Sequence, residues 1–314
     1  MKQLYPLIAL FIFVLTGCKK NPQDIFNEQK SGVVLICNQY YYDLTLASGE
    51  HLYFSGLDEK GQFVNLTSNL ANIRRQPGVL NGTGFFIDNS GNILTNRHVV
   101  APAVDKVTVK NNINNIIQNY TKYIQVLQDS MSQRYAALQQ YAQQNIYQDY
   151  YGNTRTNLSN EEIVALQQEV ETLKAQYEQA ENLKNSVWNN ILSDNFSIRL
   201  HSQFGIAYDG DNVNSWDDFM KRPCSLIRVS EDAHSDLALL QLNSKQTPDG
   251  HYVFTVDNAL ATDDKQLEIN QPVFMIGYNY GMALAKTDNG IRAQFTSGTV
   301  TQQPDGKRVT YSIP

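Results

Sequence analysis

The sequence predicts a mainly β protein, built as an antiparallel barrel or sandwich, that carries a long helical insertion. Many short apolar or alternating runs lie near both ends of the chain with no helix between most of them, which is typical of antiparallel architectures. Between residues 111 and 192, Gly and Pro vanish except for Gly152, and apolar residues recur at spacings of three and four, as they do in helices.

The composition excludes several classes of protein. The 314 residues suffice for about two domains, and 42% of them are hydrophobic, so wholesale disorder is excluded. Asp and Glu (31) outnumber Lys and Arg (25), which leaves no basic surplus to neutralise the phosphates of a nucleic acid. Three cysteines are too few for a disulfide-dense scaffold or a multi-Cys zinc site.

Residues 1–18 predict export and lipid attachment. Lys2 precedes an apolar run over residues 4–14 that is too short to span a bilayer comfortably. The run ends in Leu-Thr-Gly-Cys, which resembles the lipobox of bacterial lipoproteins, where a diacylglycerol is attached to the Cys, here Cys18. The alternative is an ordinary signal peptide with an incidental Cys. Residues 19–30 are polar and turn-rich, as a tether should be. We therefore expect a lipid-anchored protein on the periplasmic or outer-membrane face of the bacterial cell envelope.

The helical segment, residues 111–192, predicts an antiparallel coiled-coil hairpin inserted into the β structure. Each half carries one apolar stripe, Ser159 and Glu162 have the spacing of a capping box, and residues 151–154 form a turn. At about 1.5 Å per residue, such an arm reaches about 45–50 Å. It predicts a spacer or a docking arm for a protein partner, and no chemistry is visible in it.

The predicted strands flank this insertion. A turn at Asp88–Gly91 joins two of them as a hairpin. Before the insertion they are Val33–Cys37, Leu52–Ser55, Phe63–Leu66, Phe85–Ile87, Ile93–Thr95 and Val107–Val109, and after it Ser197–Leu200, Leu226–Val229, Leu237–Leu242, Val253–Val256, Val273–Ile276 and Thr296–Val300.

Two motifs in the strands carry candidate chemistry. Gly-Thr-Gly-Phe-Phe-Ile at 82–87 leads into a hairpin whose second strand ends in Leu-Thr-Asn-Arg-His-Val-Val at 94–100, which delivers His98. Ser-Asp-Leu-Ala-Leu-Leu at 235–240 puts Asp236 at the start of a buried strand, where a carboxylate can orient an imidazole. Taken alone, such a His is more often structural and such an Asp more often a strand-edge residue.

Together these stretches resemble the trypsin-like serine peptidases, especially the bacterial HtrA/Deg group. Residues 271–278 and 296–300 also match the opening strands of that family's second barrel. The resemblance covers residues 31–110 and 195–314. It implies two six-stranded antiparallel barrels, with residues 31–110 and 193–262 in the first and residues 263–314 starting a second, truncated one. It implies His98 as general base and Asp236 as the residue that orients it.

The sequence departs from the family pattern in two ways. His98 and Asp236 lie much further apart than in the family, because the helical segment is inserted between them. No Gly-x-Ser-Gly nucleophile motif is present, since Ser297 comes too early and Ser312 lacks the glycines. The nucleophilic Ser is thus expected just beyond the chain end, and the chain as given is expected to be inactive.

The resemblance therefore implies a cofactor-free serine endopeptidase acting on proteins or peptides. The alternative is a non-catalytic envelope protein that uses the barrels and the helical arm for binding or as a scaffold. No metal site is expected, because no metal-ligand spacing occurs among the remaining histidines, His51, His201, His234 and His251. Cys37 and Cys224 are candidates for a disulfide, with free buried thiols as the alternative.

Overall fold

The computed structural model describes residues 21–191, 196–232, 234–256, 267–302 and 309–313. The chain divides into two compact units. The first comprises Met1–Cys37, Asn81–Val100 and Phe204–Pro314, and the second Asn38–Leu80 and Ala101–Gln203. Residues 1–18, including Cys18, lie outside the described residues.

The chain contains α-helices of very different lengths and mostly short β-strands. The α-helices are α1 (Pro22–Gln29), α2 (Leu70–Arg75), α3 (Arg97–Val100), α4 (Lys106–Gln144), α5 (Asn160–Ile191), α6 (Trp216–Phe219) and α7 (Met282–Ala285). The strands are β1 (Val33–Thr45), β2 (His51–Phe54), β3 (Gly56–Leu57), β4 (Phe63–Val64), β5 (Gly78–Phe86), β6 (Asn92–Thr95), β7 (Ile146–Gln148), β8 (Thr154–Thr156), β9 (Ser197–Tyr208), β10 (Pro223–Val229), β11 (Ala238–Leu242), β12 (Pro272–Gly277), β13 (Lys286–Thr287), β14 (Gly290–Ile291) and β15 (Gln294–Thr299).

Six strands close into an antiparallel β-barrel. Their order is β1-β5-β6-β11-β10-β9, and β9 pairs back with β1, while β2 adds to β1 outside the ring. The predicted antiparallel barrel is confirmed, and so is the presence of long helical structure. Because α4 and α5 hold so many of the residues, the class as a whole is mixed α and β rather than mainly β.

The β5–β6 hairpin is fixed by its turn. The Asp88 carboxylate accepts hydrogen bonds from the Ser90 and Asn92 amides at 2.8 and 3.3 Å, and Gly91 has a φ of +74°. Only glycine adopts that conformation without steric penalty, so the Asn-Ser-Gly sequence sets the turn. The hairpin predicted at residues 88–91 is confirmed.

The core of the first unit forms around the start of β1. Val33, Leu35 and Cys37 pack against buried side chains that include Phe219 and Ile291. Alternate residues of a strand point to opposite faces, and Val34 and Ile36 are fully buried as well. This stretch of β1 therefore has no solvent-facing side.

A close approach inside the first unit depends on a glycine. A Cβ on Gly84 would lie 2.5 Å from Ile93 and 2.7 Å from Ile36. The Gly-Thr-Gly sequence of β5 therefore lets the neighbouring strands pack at this point.

Helices α4 and α5 form an antiparallel hairpin in the second unit. Gln128 of α4 is buried and donates a hydrogen bond to Glu181 of α5 at 2.6 Å, and Arg134 pairs with Glu169 at 2.7 Å. The capping box predicted at α5 is confirmed, because the Glu162 amide donates to Ser159 Oγ and the Ser159 amide donates to the Glu162 carboxylate. In the described part of the chain, no helix has the length and apolar character that crossing a membrane requires.

The start of α4 corrects the sequence analysis. The helix begins at Lys106 rather than near residue 111, so the strand predicted at Val107–Val109 is wrong. Asp105 is the physical reason, since its carboxylate accepts hydrogen bonds from the Val107 and Thr108 amides at 3.3 and 2.9 Å and caps the helix. The boundary assigned between the first barrel and the insertion moves accordingly.

The C-terminal segment forms a two-stranded sheet. Strands β12 and β15 pair antiparallel, with Phe274 opposite Ser297, and β13 and β14 form a separate small hairpin. Among the described residues this segment does not close into a second barrel.

The strand predicted at Val253–Val256 is wrong as well, because this segment is coil. The Phe254 amide donates a hydrogen bond to the Phe86 carbonyl of β5 at 2.8 Å.

Candidate active site

His98 lies where β6 leads into the short helix α3. Ile93 anchors β6 in the core, and Val99 and Val100 of α3 are buried as well. Buried neighbours on both sides fix the backbone at His98, whereas its own side chain is 68% exposed. The residue thus combines a rigid main chain with an accessible ring.

Asp236 reaches His98 because of the sheet register. Strand β11 begins two residues after Asp236 and pairs antiparallel with β6, so that Ala238 faces Thr95. In an antiparallel pair, the residues just before one strand lie beside those just after its partner. A separation of 138 residues in the sequence therefore becomes a direct contact.

The Asp236 carboxylate holds His98 at two atoms. One carboxylate oxygen lies 2.6 Å from His98 Nδ1, and the other accepts a hydrogen bond from the His98 backbone amide at 3.0 Å. The Asn96 side-chain amide donates to the Asp236 carbonyl at 3.1 Å and to the carboxylate at 3.2 Å. These bonds fix the carboxylate and orient the ring.

The same hydrogen bonds keep Asp236 ionised. Partial burial raises the pKa of its carboxyl, but the bonds from the His98 amide and ring and from Asn96 outweigh it, and the net pKa is below its usual range. An ionised acceptor at Nδ1 favours the tautomer that carries its proton there. Nε2 is then the nitrogen with a free lone pair, as a general base requires.

A cavity of about 420 Å³ borders the ring. His98, Asn96 and Leu237 contribute to one side of it, and Ile276 and Tyr278 to another. The cavity mixes apolar side chains with polar amide groups. A volume of this size accommodates a side chain of a bound peptide.

Thr83 of β5 joins two walls of this cavity. Its hydroxyl accepts a hydrogen bond from the Tyr278 amide at 2.8 Å, and its carbonyl accepts one from the Thr95 hydroxyl at 2.8 Å. A Cβ on Gly277 would come within 2.9 Å of the Thr83 hydroxyl. Thr83 and Gly277 therefore position the segment that follows β12 against the barrel.

No serine is among the described residues that line the cavity. Ser297 lies within β15 opposite Phe274. The Ser312 hydroxyl accepts a hydrogen bond from the Thr299 amide at 3.0 Å. Neither Ser297 nor Ser312 is among the described residues that line the cavity beside His98.

The two candidate disulfide cysteines do not pair. Cys37 and Cys224 are both buried free thiols, and burial raises the pKa of each to about 12. A disulfide between them is therefore not a feature of the structure, and the alternative of buried thiols describes them. At that pKa neither is a reactive thiolate at neutral pH.

A second His–Asp contact occurs in the second unit. His51 Nδ1 lies 2.7 Å from Asp43, and His201 Nε2 lies 3.8 Å from the other oxygen of the same carboxylate. None of these residues borders the cavity beside His98. In the part of the chain that is described, no group of three or more His, Cys, Asp or Glu has the arrangement of a metal site. A His–Asp contact is thus not distinctive by itself, and the adjoining cavity sets His98 apart.

Sequence reasoning missed Asn96 and Thr83. Both lie within the motifs that identified His98, but their partners are the Asp236 and Tyr278 segments, which are remote in sequence. The strand register brings these pairs together, so no local pattern could have indicated them.

The sequence matches no family model and no curated protein.

Proposed function

We propose that this chain is part of a serine endopeptidase, with His98 as general base and Asp236 as the residue that orients it. The observation that carries the proposal is the contact at both carboxylate oxygens, 2.6 Å to His98 Nδ1 and 3.0 Å to the His98 amide. The cavity bordering the same ring supports it, and so does the resemblance of both motifs to trypsin-like serine peptidases.

In this mechanism a serine hydroxyl attacks the substrate carbonyl carbon while His98 Nε2 takes the hydroxyl proton. The C–N bond then breaks, Nε2 gives that proton to the leaving amine, and an acyl-enzyme ester remains. Water attacks the ester as Nε2 takes its proton, and the serine recovers a proton as the acid product leaves. Asp236 accepts the Nδ1 hydrogen bond throughout and stabilises the imidazolium.

The proposal requires a nucleophile that the described wall of the cavity does not present. We assign residues 263–314 to the start of a second barrel and expect the nucleophilic serine in sequence that follows Pro314, as the resemblance implies.

The proposal also assigns a location. Residues 1–18 have the pattern of a lipoprotein signal. The tether predicted at residues 19–30 is largely helix α1 (Pro22–Gln29), whose Phe26 packs against the core of the first unit, so a lipid on Cys18 would anchor the chain close to that unit. The protein would act in the bacterial cell envelope on protein or peptide substrates. The mechanism uses no cofactor.

Hydrolysis of casein tests the proposal. We expect activity from a chain extended past Pro314 through its Gly-x-Ser-Gly segment, and none from the 314-residue chain. In the extended chain, His98→Ala should abolish turnover, and Asp236→Asn should lower it by about 10⁴-fold, because an unoriented imidazole presents the wrong tautomer. His51→Ala is the matched control, since it removes a His of similar geometry that does not border the cavity, and it should retain full activity.

Two outcomes would contradict the proposal. Full activity of the His98→Ala variant would remove His98 from the mechanism. A folded, extended chain that binds casein without hydrolysing it would favour the alternative, a non-catalytic envelope protein that uses the same surfaces for binding.

A further inference from the structure

The far end of the helical hairpin carries two exposed aromatic rings. Strands β7 and β8 form a small β-hairpin that joins α4 to α5, and at its turn Tyr150 is 97% and Tyr151 84% exposed. Their ring centroids lie 5.5 Å apart at an interplanar angle of 85°. Two adjacent aromatic rings that are both almost fully exposed form a contiguous patch, and such patches mark binding surfaces.

The turn that presents these rings is rigid. The Asp149 carboxylate accepts hydrogen bonds from the Tyr151 and Asn153 amides, each at 2.9 Å, and from the Arg155 side chain at 3.2 Å. These bonds lower the pKa of Asp149, the Asn153 amide contributing most, so the carboxylate stays ionised. Gly152 adopts a φ of +77°, as the turn requires. The exposure of both rings is thus built into the fold, and little conformational entropy is lost when they bind.

The surface around the rings is uncharged overall and rich in hydrogen-bonding groups. Residues 145–158 contain one acid and one base, Asp149 and Arg155, which pair with each other. The remaining polar groups are amides and hydroxyls, as in Gln148 and Thr154, and both strands are exposed along their length. Such a surface offers nothing to phosphates or anionic headgroups.

We infer that this turn, residues 146–156, is a carbohydrate-binding tip that stacks on sugar rings of a polysaccharide chain. A pyranose presents a face of C–H groups that packs on an aromatic ring, while its hydroxyls pair with amide and hydroxyl side chains. Two rings at a steep angle can contact two successive sugars of one chain. The neutral charge of the tip matches an uncharged polyhydroxylated ligand.

The other candidate occupants fit less well. A protein interface of standard size uses about 20–30 residues on each side, which is more than residues 146–156 provide. Insertion into a bilayer would also immerse Asp149, Gln148 and Asn153, and burying such groups is unfavourable. A glycan needs only a small patch with stacking rings.

Co-sedimentation with insoluble chitin and with cellulose tests the inference, with soluble chitohexaose and cellohexaose as competitors. We expect the protein to be retained by at least one of these glycans and released by the matching oligosaccharide. Tyr150→Ala and Tyr151→Ala should each weaken binding by about tenfold. Tyr150→Phe should retain binding, because the ring face remains. Tyr123→Ala, which removes an exposed tyrosine of α4 (60% exposed), is the matched control and should have no effect.

Three results would overturn the inference. The first is that none of these glycans retains the protein. The second is that the Tyr150→Ala and Tyr151→Ala variants are retained as fully as the wild type. The third is that the wild type floats with phosphatidylcholine vesicles and both variants do not. Far-ultraviolet circular dichroism should show unchanged helix content in each variant. The outcome does not depend on peptidase activity, because binding is measured without catalysis.

Discussion

At the scale of single residues, the site depends on hydrogen bonds to one carboxylate. The pairing of His98 with Asp236 was expected from the resemblance of both motifs to trypsin-like serine peptidases, because neither motif indicates it when taken alone. Asn96 was not, because its role as a donor to Asp236 exists only once β6 and β11 pair. For the same reason the sequence left Cys37 and Cys224 open between a disulfide and free buried thiols, and the structure has both as free buried thiols.

The pKa of Asp236 leads to a prediction about stability. Because its pKa is below the usual value in the folded state, ionised Asp236 stabilises the fold at a pH above about 3.9, the value in an unfolded chain, and this contribution is lost as the pH falls through the folded pKa. The unfolding free energy of the wild type should therefore exceed that of Asp236→Asn near neutral pH. The gap should narrow on acidification. It should stay below about 1 kcal/mol, because the carboxylate is half exposed.

Urea unfolding of both proteins across this pH range measures the gap. Asp58→Asn serves as a control outside the site, since this carboxylate accepts hydrogen bonds from the Lys60 and Gln62 amides of its own turn. A gap that widens as the pH falls would show that Asp236 is not held as its hydrogen bonds imply.

At the scale of elements, the helical hairpin is more closely joined to the β structure than its sequence suggests. Its periodicity indicated two helices, and both are present. The first turns of α4, however, belong to the core of the second unit. There Val109, Ile113 and Ile117 lie in one cluster with three buried residues of β1 and β2, namely Tyr42, Leu44 and Phe54. A stripe of apolar residues looks the same in sequence whether it faces a partner helix or a strand, so the sequence could not separate the arm from its base.

Two excisions should therefore differ in stability. Replacing residues 126–183 by a short Gly/Ser loop joins Gln125 to Lys184, whose side chains already meet at 3.3 Å, and should leave the protein folded. Replacing residues 111–192 also removes Ile113 and Ile117 and should destabilise it by several kcal/mol, since truncating one such residue costs about 2–5 kcal/mol. Urea unfolding followed by far-ultraviolet circular dichroism compares them. Equal stability of the two excised chains would contradict the assignment of these residues to the core.

At the scale of the whole molecule, the sequence predicted the barrel and not the full architecture. Alternating strands and a Gly-containing hairpin turn specify an antiparallel ring, because each strand must bury one face. Residues 263–314 were expected to start a second barrel, and the described residues of this segment form the β12 and β15 pair and a small hairpin. Whether strands close into a barrel depends on pairing between segments that are far apart in the chain. Short apolar runs such as Val253–Val256 are equally compatible with coil and with strand.

The lipid anchor makes a separate prediction for the whole protein. Cys18 ends the Leu-Thr-Gly-Cys pattern that follows an apolar segment, so metabolic labelling with a radioactive fatty acid should mark the wild type in a bacterial host. Cys18→Ala should lose the label. Cys37→Ala, which removes a buried thiol, is the control and should keep it. Equal labelling of the wild type and Cys18→Ala would contradict the lipobox assignment.

The central claim is that Asp236 holds His98 as the tautomer protonated at Nδ1, with Nε2 free to act as a base. Nitrogen-15 NMR of the His98 ring tests it on the 314-residue chain without any substrate. We expect the proton on Nδ1 in the wild type and a shift of the population toward Nε2 in Asp236→Asn, whose amide can donate to Nδ1. A wild-type ring protonated mainly at Nε2, or a tautomer unchanged by Asp236→Asn, would contradict the account.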